Sequence, residues 1–293
     1  DIYRFNNDAK KFLKNDNELD LSFSSFLQRG KYGKKIRDFY IYPMASSIWS
    51  EGPDKIAKAP FHFFAQFFEN HGMLNINDRP QWRVIKGGSQ EYVKKLTATF
   101  KNRIRLKCPV KKIRRENDTV MIQSSNKEEI FDYVIIATHS DQALSLLSDP
   151  TKEEKDILGN INYQKNEILL HQDSSVLPKN KRAWASWNYH KTRENLSHAC
   201  VTYNMNMLQS IKSDETFCVS LNYKKNIDPS KIIKSINYDH PIISREAINA
   251  QLRHHEINGA NKTFYCGAYW GNGFHEDGVN SALTITKQFG KTF

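Results

Sequence analysis

Apolar and polar positions alternate at helical spacing from Ile2 to Leu13, which predicts an amphipathic helix at the start of the chain. An acidic stretch, Asp16 to Asp20, then leads to a second predicted helix over Leu21 to Leu27 with Ser22 as its N-cap. The aromatic-rich run from Phe39 to Trp49 carries Pro43 and reads as a buried turn between helices. After Pro60, the apolar residues Phe61, Phe64, Ala65 and Phe68 share one helical face, so a buried helix is expected there.

The texture changes at Trp82. The run from Trp82 to Leu96 reads as a strand end, a Gly87-Gly88 turn and a helix opened by Ser89 and Glu91. Ile104 and Leu106 alternate with Arg103, Arg105 and Lys107, as in a strand. Val110 to Arg114, Val120 to Gln123 and Phe131 to Thr138, separated by polar turns at Glu116 to Asp118 and Ser124 to Glu128, describe a β-meander. Its last strand, with a near-continuous apolar core, is expected to be buried on both faces. Asp141 is expected to cap a short helix that ends before Asp149-Pro150.

Beyond Thr151 a charged helix over Glu153 to Leu158 precedes a mostly antiparallel set of predicted strands: Glu167 to His171, Ala183 to Asn188, Cys200 to Asn204 and Phe217 to Leu221. Met205 to Ile211 reads as helix, and the lysine-rich Tyr223 to Lys234 as loop. The chain closes with a short strand at Phe264, a loop carrying Gly267, Gly271 and Gly273, and an amphipathic helix whose buried stripe is expected to be Val279, Ala282, Leu283 and Phe289. A glycine loop feeding a helix start lets backbone approach a ligand and aims free N–H groups at it.

With 293 residues, 39% hydrophobic, the chain is long enough to bury a sizeable core. A net charge of +11 is compatible with nucleic acid, an anionic membrane surface or an acidic substrate. The lysines are spread along the chain, so the excess reads as compositional and no nucleic-acid partner is expected. Cys108, Cys200, Cys218 and Cys266 lie far apart, which argues against a zinc ribbon or a disulfide framework and fits a reducing cytosol. His254-His255-Glu256 and His275-Glu276 lack the i, i+4 histidine spacing of zinc helices, so no metal site is expected. No apolar run approaches the ~20 residues of a bilayer span. The chain begins at Asp1 in what reads as the middle of an amphipathic segment, so it is expected to be a fragment or a processed product.

The order of elements, together with Pro43-Met44-Ala45, Ile48-Trp49-Ser50, Asn70-His71-Gly72, Pro80-Gln81-Trp82, Gly87-Gly88-Ser89, the run Ala137 to Leu144, Ala185 to Tyr189 and Gly273 to Gly278, resembles the flavin-containing amine oxidase superfamily. More narrowly it is similar to a bacterial branch described as NAD/FAD-binding and amine-oxidase-like. The resemblance implies an α/β fold. It would combine an incomplete Rossmann-like FAD-binding domain with a β-meander (81–150 and 258–293) and a substrate domain of mostly antiparallel sheet and helices (1–80 and 151–257). The G-x-G-x-x-G turn that seats the FAD pyrophosphate in that superfamily is not found in this sequence. The chain by itself is therefore expected to bind FAD poorly and to be inactive.

Carried over by the resemblance, Gly267, Gly273 and Phe274 lie along the flavin, and Glu276, Asp277, Gly278 and Val279 open the helix facing its N1/C2 side. Val110 stands where a strand's backbone reads adenine, and Ala137 and Thr138 form a second contact turn. Phe274 reads either as a ring against the isoalloxazine or as core. His275 reads as an acid/base or as a structural histidine, and Lys165 as the lysine holding a water at flavin N5 or as a plain exposed lysine. Trp49, His71, Trp187 and Asn188 are candidates for a substrate wall, with core packing as the alternative for the aromatics. The implied activity is hydride abstraction from an apolar, lipid or acyl substrate to flavin. A small amine is the alternative substrate, and a non-catalytic, basic lipid-surface module the alternative class. The expected setting is the cytoplasm, with peripheral contact at the inner membrane face allowed; the oligomeric state is left open.

Overall fold

The structure, a computed structural model, describes residues 1–14, 18–116, 118–125, 127–192 and 198–291. Asp16 of the expected acidic stretch, and Asn117 and Asn126 of the two expected turns, lie outside the described residues. The chain begins with helices α1 (Ile2–Phe12), α2 (Phe23–Arg29), α3 (Lys34–Ile36), α4 (Tyr42–Trp49), α5 (Pro53–Lys58), α6 (Phe61–Asn70) and α7 (Gln90–Thr97). There follow β1 (Val110–Glu116), β2 (Thr119–Ser124), β3 (Glu128–Phe131), β4 (Val134–Ile136), α8 (Ser140–Leu146), α9 (Lys152–Gly159) and β5 (Tyr163–His171). Then come β6 (Trp187–Tyr189), β7 (Val201–Asn204), α10 (Met205–Leu208), β8 (Cys218–Leu221) and β9 (Ile232–Pro241). The last elements are α11 (Arg245–Leu252), α12 (His254–Ile257), β10 (Thr263–Tyr265) and α13 (His275–Gln288).

Two units emerge, residues 1–96 with 164–243 and residues 97–163 with 244–293. The sequence pattern set the divisions near 80, 150 and 257. The first falls later, at the end of α7, and the second falls later because Ile157, Leu158 and Ile161 belong to the core of the second unit, so that β5 opens the return to the first. The third falls earlier because Ala247, Ala250 and Ile257 share a core with Ile157 and Leu158 of α9.

The first unit is built on aromatic packing. Spacing at i, i+3 and i+4 puts Phe61, Phe64, Ala65 and Phe68 of α6 inside, with Phe67 beside them. Phe26 stacks on Phe61 at 3.6 Å between centroids and Phe23 on Phe64 at 4.8 Å. Such pairs add about 0.5–1.5 kcal/mol each beyond their buried area. Ser22 caps α2 by accepting the Ser25 N–H at 3.2 Å. The run expected as a turn at Phe39 is helical: a π-turn over Arg37–Ile41 passes directly into α4, and Pro43, which brings no N–H, falls at the junction where the wider i→i−5 ladder gives way to the α-helix. A five-stranded sheet in the order β6-β7-β8-β5-β9 completes the unit, with β6–β7, β7–β8 and β8–β5 antiparallel. Its interior carries a polar row: the His190 ring bonds Thr202 (2.8 Å), Thr202 bonds Ser220 (2.6 Å) and Ser220 bonds the buried His171 (2.8 Å). Strand β9, whose first three residues end the stretch expected as a lysine-rich loop, buries none of its side chains and so lacks the apolar alternation that marks a strand.

The second unit holds the meander β1-β2-β3 and a parallel pair, β10 with β4. Helices α8, α9, α11 and α12 share a core with Val134, Ile136 and Tyr265 on one face of that pair, and Ile285 of α13 packs on Phe264 on the other. A buried clamp ties meander to helix to strand. Arg115 donates two bonds of 2.9 Å to Glu154 and further bonds to Asp149, while the Tyr265 hydroxyl donates to Glu154 at 2.6 Å. Burial pushes the Glu154 pKa up, but the Arg115, Tyr265 and Thr151 hydrogen bonds outweigh it and hold the carboxyl below its ordinary range.

Three expected strand features are not formed. Residues 82–85 and 104–106 pair with nothing and are not strand; Trp82 and Leu106 are 60% and 83% exposed. Strand β4 is covered on one face only, with Ile135 half exposed between buried Val134 and Ile136.

Candidate functional site

The parallel register Thr263↔Val134, Phe264↔Ile135 and Tyr265↔Ile136 brings the carboxyl ends of β10 and β4 to the same edge, where Cys266 N–H donates to Ile136 C=O at 3.1 Å. Ligands of open parallel sheets sit outside those carboxyl ends. From β4 the chain leaves through Ala137 and Thr138, both exposed. The start of α8 after them is held by Tyr163, whose hydroxyl accepts the Ser140 N–H at 3.0 Å. From β10 the chain leaves through Gly267 into the glycine loop and α13. The structure thus brings together Ala137, Thr138 and Gly267, which the sequence placed in one site from segments 129 positions apart.

The loop is fixed from three sides. Gly267 donates its N–H to Ser281 Oγ at 2.9 Å, and the Gln251 amide donates to the carbonyls of Tyr269 and Gly271, both at 2.8 Å. The Asp277 carboxylate accepts the N–H groups of Asn272 (3.1 Å) and Phe274 (2.9 Å). A Cβ at Gly267 would stand 2.4 Å from the Tyr269 ring, and one at Gly271 2.4 Å from the Asp277 carboxylate, so both positions need glycine for space. Gly273 needs it for conformation: its φ is +92°, and nothing lies within 4 Å of where a Cβ would project. Open space beside exposed backbone is what a close ligand approach requires.

Helix α13 opens on this space. Its ladder begins with Gly278 N–H to Phe274 C=O at 3.2 Å, so the N–H groups of the preceding turn and the positive dipole end are directed outward. His275, Glu276 and Val279 are exposed and Phe274 is half-buried. Asp277 serves the loop as a cap. The buried stripe of α13 is Ser281 and Ile285 with Ala282 beside them; Val279 and Phe289, expected in it, are 41% and 42% exposed. Next to the loop, the His254 ring stacks on Trp270 at 3.9 Å and burial pushes its pKa down.

These residues fit one end of a flavin: a glycine loop with room above it, and a helix N-terminus suited to the charge that reduction places on the ring. They do not supply the pyrophosphate end. The Gly87-Gly88 turn does precede α7, but the residues before it, 81–85, form no strand. Val110, expected near adenine, stands at the free end of β1, paired with Ser124 across a bulge and 38% exposed.

The remaining candidates belong to the first unit. Trp49 is buried, edge-on to Phe64 and Phe67 at 4.6 and 4.8 Å. The His71 ring stacks on Phe67 at 3.9 Å, with Nδ1 2.8 Å from the Phe67 carbonyl. Trp187 is half-buried against Tyr203, and Asn188 is held within its own turn, donating to Ala185 C=O at 2.6 Å and Thr202 C=O at 3.2 Å. Lys165 is exposed on β5 between buried Gln164 and Asn166. Sequence reasoning missed Gln251 and Ser281, which shape the loop. Asp277, three residues into a helix that follows glycines, carried a readable capping signal.

Among the described residues no group of three or more His, Cys, Asp or Glu side chains is placed to hold a metal, and no helix is long and apolar enough to cross a membrane.

Comparison with known proteins matches residues 5–194 to the family of flavin-containing amine oxidoreductases. No curated protein matches by sequence. Among solved structures, a CLA-producing fatty acid isomerase from P. acnes aligns with a TM-score of 0.64 at 16% identity, over 93% of this chain and 67% of its own. Cyclohexylamine oxidase from Brevibacterium oxydans IH-35A aligns at 0.62 and 12%, over 98% and 74%. Putrescine oxidase bound to putrescine aligns at 0.62 and 10%, over 99% and 74%. The α/β fold is therefore that of these three proteins. With more than half of its length matched, the chain belongs to the flavin-containing amine oxidoreductase family, whose cofactor is FAD.

Proposed function

We propose that the chain is part of an FAD-dependent oxidoreductase that takes hydride from a C–H bond of an apolar, acyl-type substrate, with the flavin ring lying between Ala137-Thr138 and the N-terminus of α13. The observation that carries this reading is the convergence of the β4 and β10 carboxyl ends on a glycine loop with open space above Gly273. When bound, the flavin supplies two-electron acceptor chemistry at N5. The chain's own residues do the rest. The first-turn N–H groups of α13 favour negative charge on the ring, Gly267 and Gly271 keep the backbone close, and Asp277 holds the loop in register with the helix. The exposed imidazole of His275 is placed to hold or pass a proton at the helix start. Within the first unit, Lys165 is proposed as a water-holding lysine, and Trp49, His71, Trp187 and Asn188 as substrate contacts.

An acyl substrate is favoured by the fold shared with a fatty acid isomerase. The fold shared with oxidases of cyclohexylamine and putrescine supports a small amine as the second reading. Holoprotein isolated with its flavin and mixed anaerobically with long-chain acyl substrates should lose its visible flavin absorbance. Bleaching by alkylamines alone would replace the acyl reading with the amine one, and bleaching by neither would overturn the oxidoreductase proposal.

A further inference from the structure

The polar row across the five-stranded sheet has a fixed proton order. Asp173 donates its backbone N–H to His171 Nδ1 at 3.1 Å, so the buried His171 ring carries its proton on Nε2 and donates it to Ser220. Ser220 and Thr202 are fully buried, and among the described residues their hydroxyls bond only along the row. The Ser220 proton therefore goes to Thr202, and the Thr202 proton to His190 Nε2. His190 is left as the neutral tautomer with its proton on Nδ1, an N–H that no acceptor takes among the described residues. The ring itself is held face to face on Tyr223, at 4.0 Å between centroids.

His190 stands on the wall of a cavity of about 200 Å³ in the first unit, with Asp38, Tyr42, Asp54, Tyr189, Lys191 and His198 around it. Lys191 is already engaged, paired with Asp38 at 3.4 Å and lying over the Phe39 ring at 4.2 Å. Asp54, exposed in the first turn of α5, pairs with no cation among the described residues. Burial pushes the His190 pKa down to about 4, and burial with the charge of Lys55 pushes that of His198 down, so neither ring adds a full cation at pH 7. Two carboxylates and one ammonium leave this wall net negative, on a chain whose total charge is +11.

We infer that the cavity binds a small organic ammonium that also carries an oxygen acceptor, the chemistry of an amino alcohol, with the ammonium at Asp54 between the Tyr42 and Tyr189 rings and the oxygen at His190 Nδ1–H. Each half of the ligand answers a feature of the wall. An unpaired carboxylate among tyrosine rings suits a cation, by charge and by the ring quadrupole. A simple anion would meet Asp38 and Asp54. An amine without an oxygen would desolvate the His190 N–H and give it no acceptor, because the row fixes that nitrogen as a donor. A neutral polyol would leave Asp54 without a counter-charge. All of these residues belong to the first unit, and none of them takes part in the flavin reading.

The test titrates the isolated protein with ethanolamine, with propylamine, which lacks the oxygen, and with ethylene glycol, which lacks the ammonium, while nitrogen NMR follows the His190 ring. Ethanolamine should bind saturably and move the Nδ1 resonance of a ring whose Nε2 stays unprotonated. Propylamine and ethylene glycol should each bind at least about tenfold more weakly, the worth of one lost charged or buried hydrogen bond. Asp54→Asn, at an exposed position, should weaken ethanolamine by about the same factor. Ser220→Ala interrupts the row, so His190 should populate both tautomers and the preference for ethanolamine over propylamine should shrink. Glycerophosphoethanolamine serves as a second probe: tighter binding than ethanolamine assigns the site to a lipid headgroup, and weaker binding assigns it to a free amino alcohol. No saturable binding of either amino alcohol would overturn the proposal. So would propylamine or ethylene glycol binding as tightly as ethanolamine, binding unchanged by Asp54→Asn, or a His190 ring protonated on Nε2. None of these readouts involves flavin, so they stand or fall separately from the bleaching experiment.

Discussion

Glu51 is fully buried in the first unit, with one carboxylate oxygen accepting the Ile243 N–H at 2.8 Å and the other without a partner. Desolvation pushes its pKa up from 4.5 to about 7, against the smaller opposing pulls of that bond and of Lys55. The folded state therefore holds this proton more tightly than the unfolded chain. Its effect is neutral below pH 4.5, and stability is lost progressively as pH rises from 4.5 to about 7, by about 3 kcal/mol in all. Denaturant titrations at pH 5 and pH 8 should show that loss, and Glu51→Gln should remove it while keeping an acceptor for Ile243. An unchanged pH slope in the variant would refute the assignment. The Arg115–Glu154 clamp gives the opposite case, a carboxylate satisfied by a cation. Glu154→Gln should destabilise by about 3 kcal/mol, because it leaves the buried Arg115 charge with only the partly exposed Asp149 as counter-ion. Replacing both residues by apolar side chains of similar volume should recover most of that loss in the same titration, and a double variant as weak as the single would count against the charge explanation.

At the level of elements, α13 and the loop before it were readable because their signals are local: a short apolar strand, three glycines, then acids in a first turn. The Gly267–Tyr269 and Gly271–Asp277 approaches explain the glycines, and both lie within six residues. Gln251 was not readable, since its two bonds to the loop join positions 18 and 20 apart that only the fold brings together. The strands expected at 82–85 and 104–106 failed for the same reason in reverse: alternation proposes a strand, but a ladder partner decides it. The stripe of α13 was misplaced because its face is set by Ser281 and Ile285 against Phe264, and a serine that serves the Gly267 N–H carries no hydropathy signal. The capping role of Asp277 is separable from any flavin contact. Asp277→Ala should cost about 1 kcal/mol of stability and increase deuterium exchange at Asn272 and Phe274. Asp277→Asn, which keeps an acceptor oxygen, should restore most of the protection; no change at those two amides would exclude the cap.

For the whole molecule, the two units divide the chemistry unevenly. Residues 97–163 and 244–293 carry the glycine loop and the α13 N-terminus, while the aromatic core and the five-stranded sheet belong to residues 1–96 and 164–243. On the proposed flavin reading, the described residues offer donors at the isoalloxazine end and none of the glycine-rich strand-to-helix turn that would hold a pyrophosphate. Affinity should follow that inventory. Residues 1–293 should bind riboflavin and FAD with dissociation constants within about tenfold of each other, a difference below about 1.4 kcal/mol, because the added phosphates and adenosine find few partners beyond the β1 end at Val110. Flavin fluorescence titration measures both constants, and Gly273→Val should weaken both in parallel, since it fills the space above the loop and strains a backbone at φ +92°. FAD binding a hundredfold tighter than riboflavin would mean that a pyrophosphate cradle exists within these residues after all. Parallel weakening would instead place the ring, and only the ring, on the edge where β4 and β10 end.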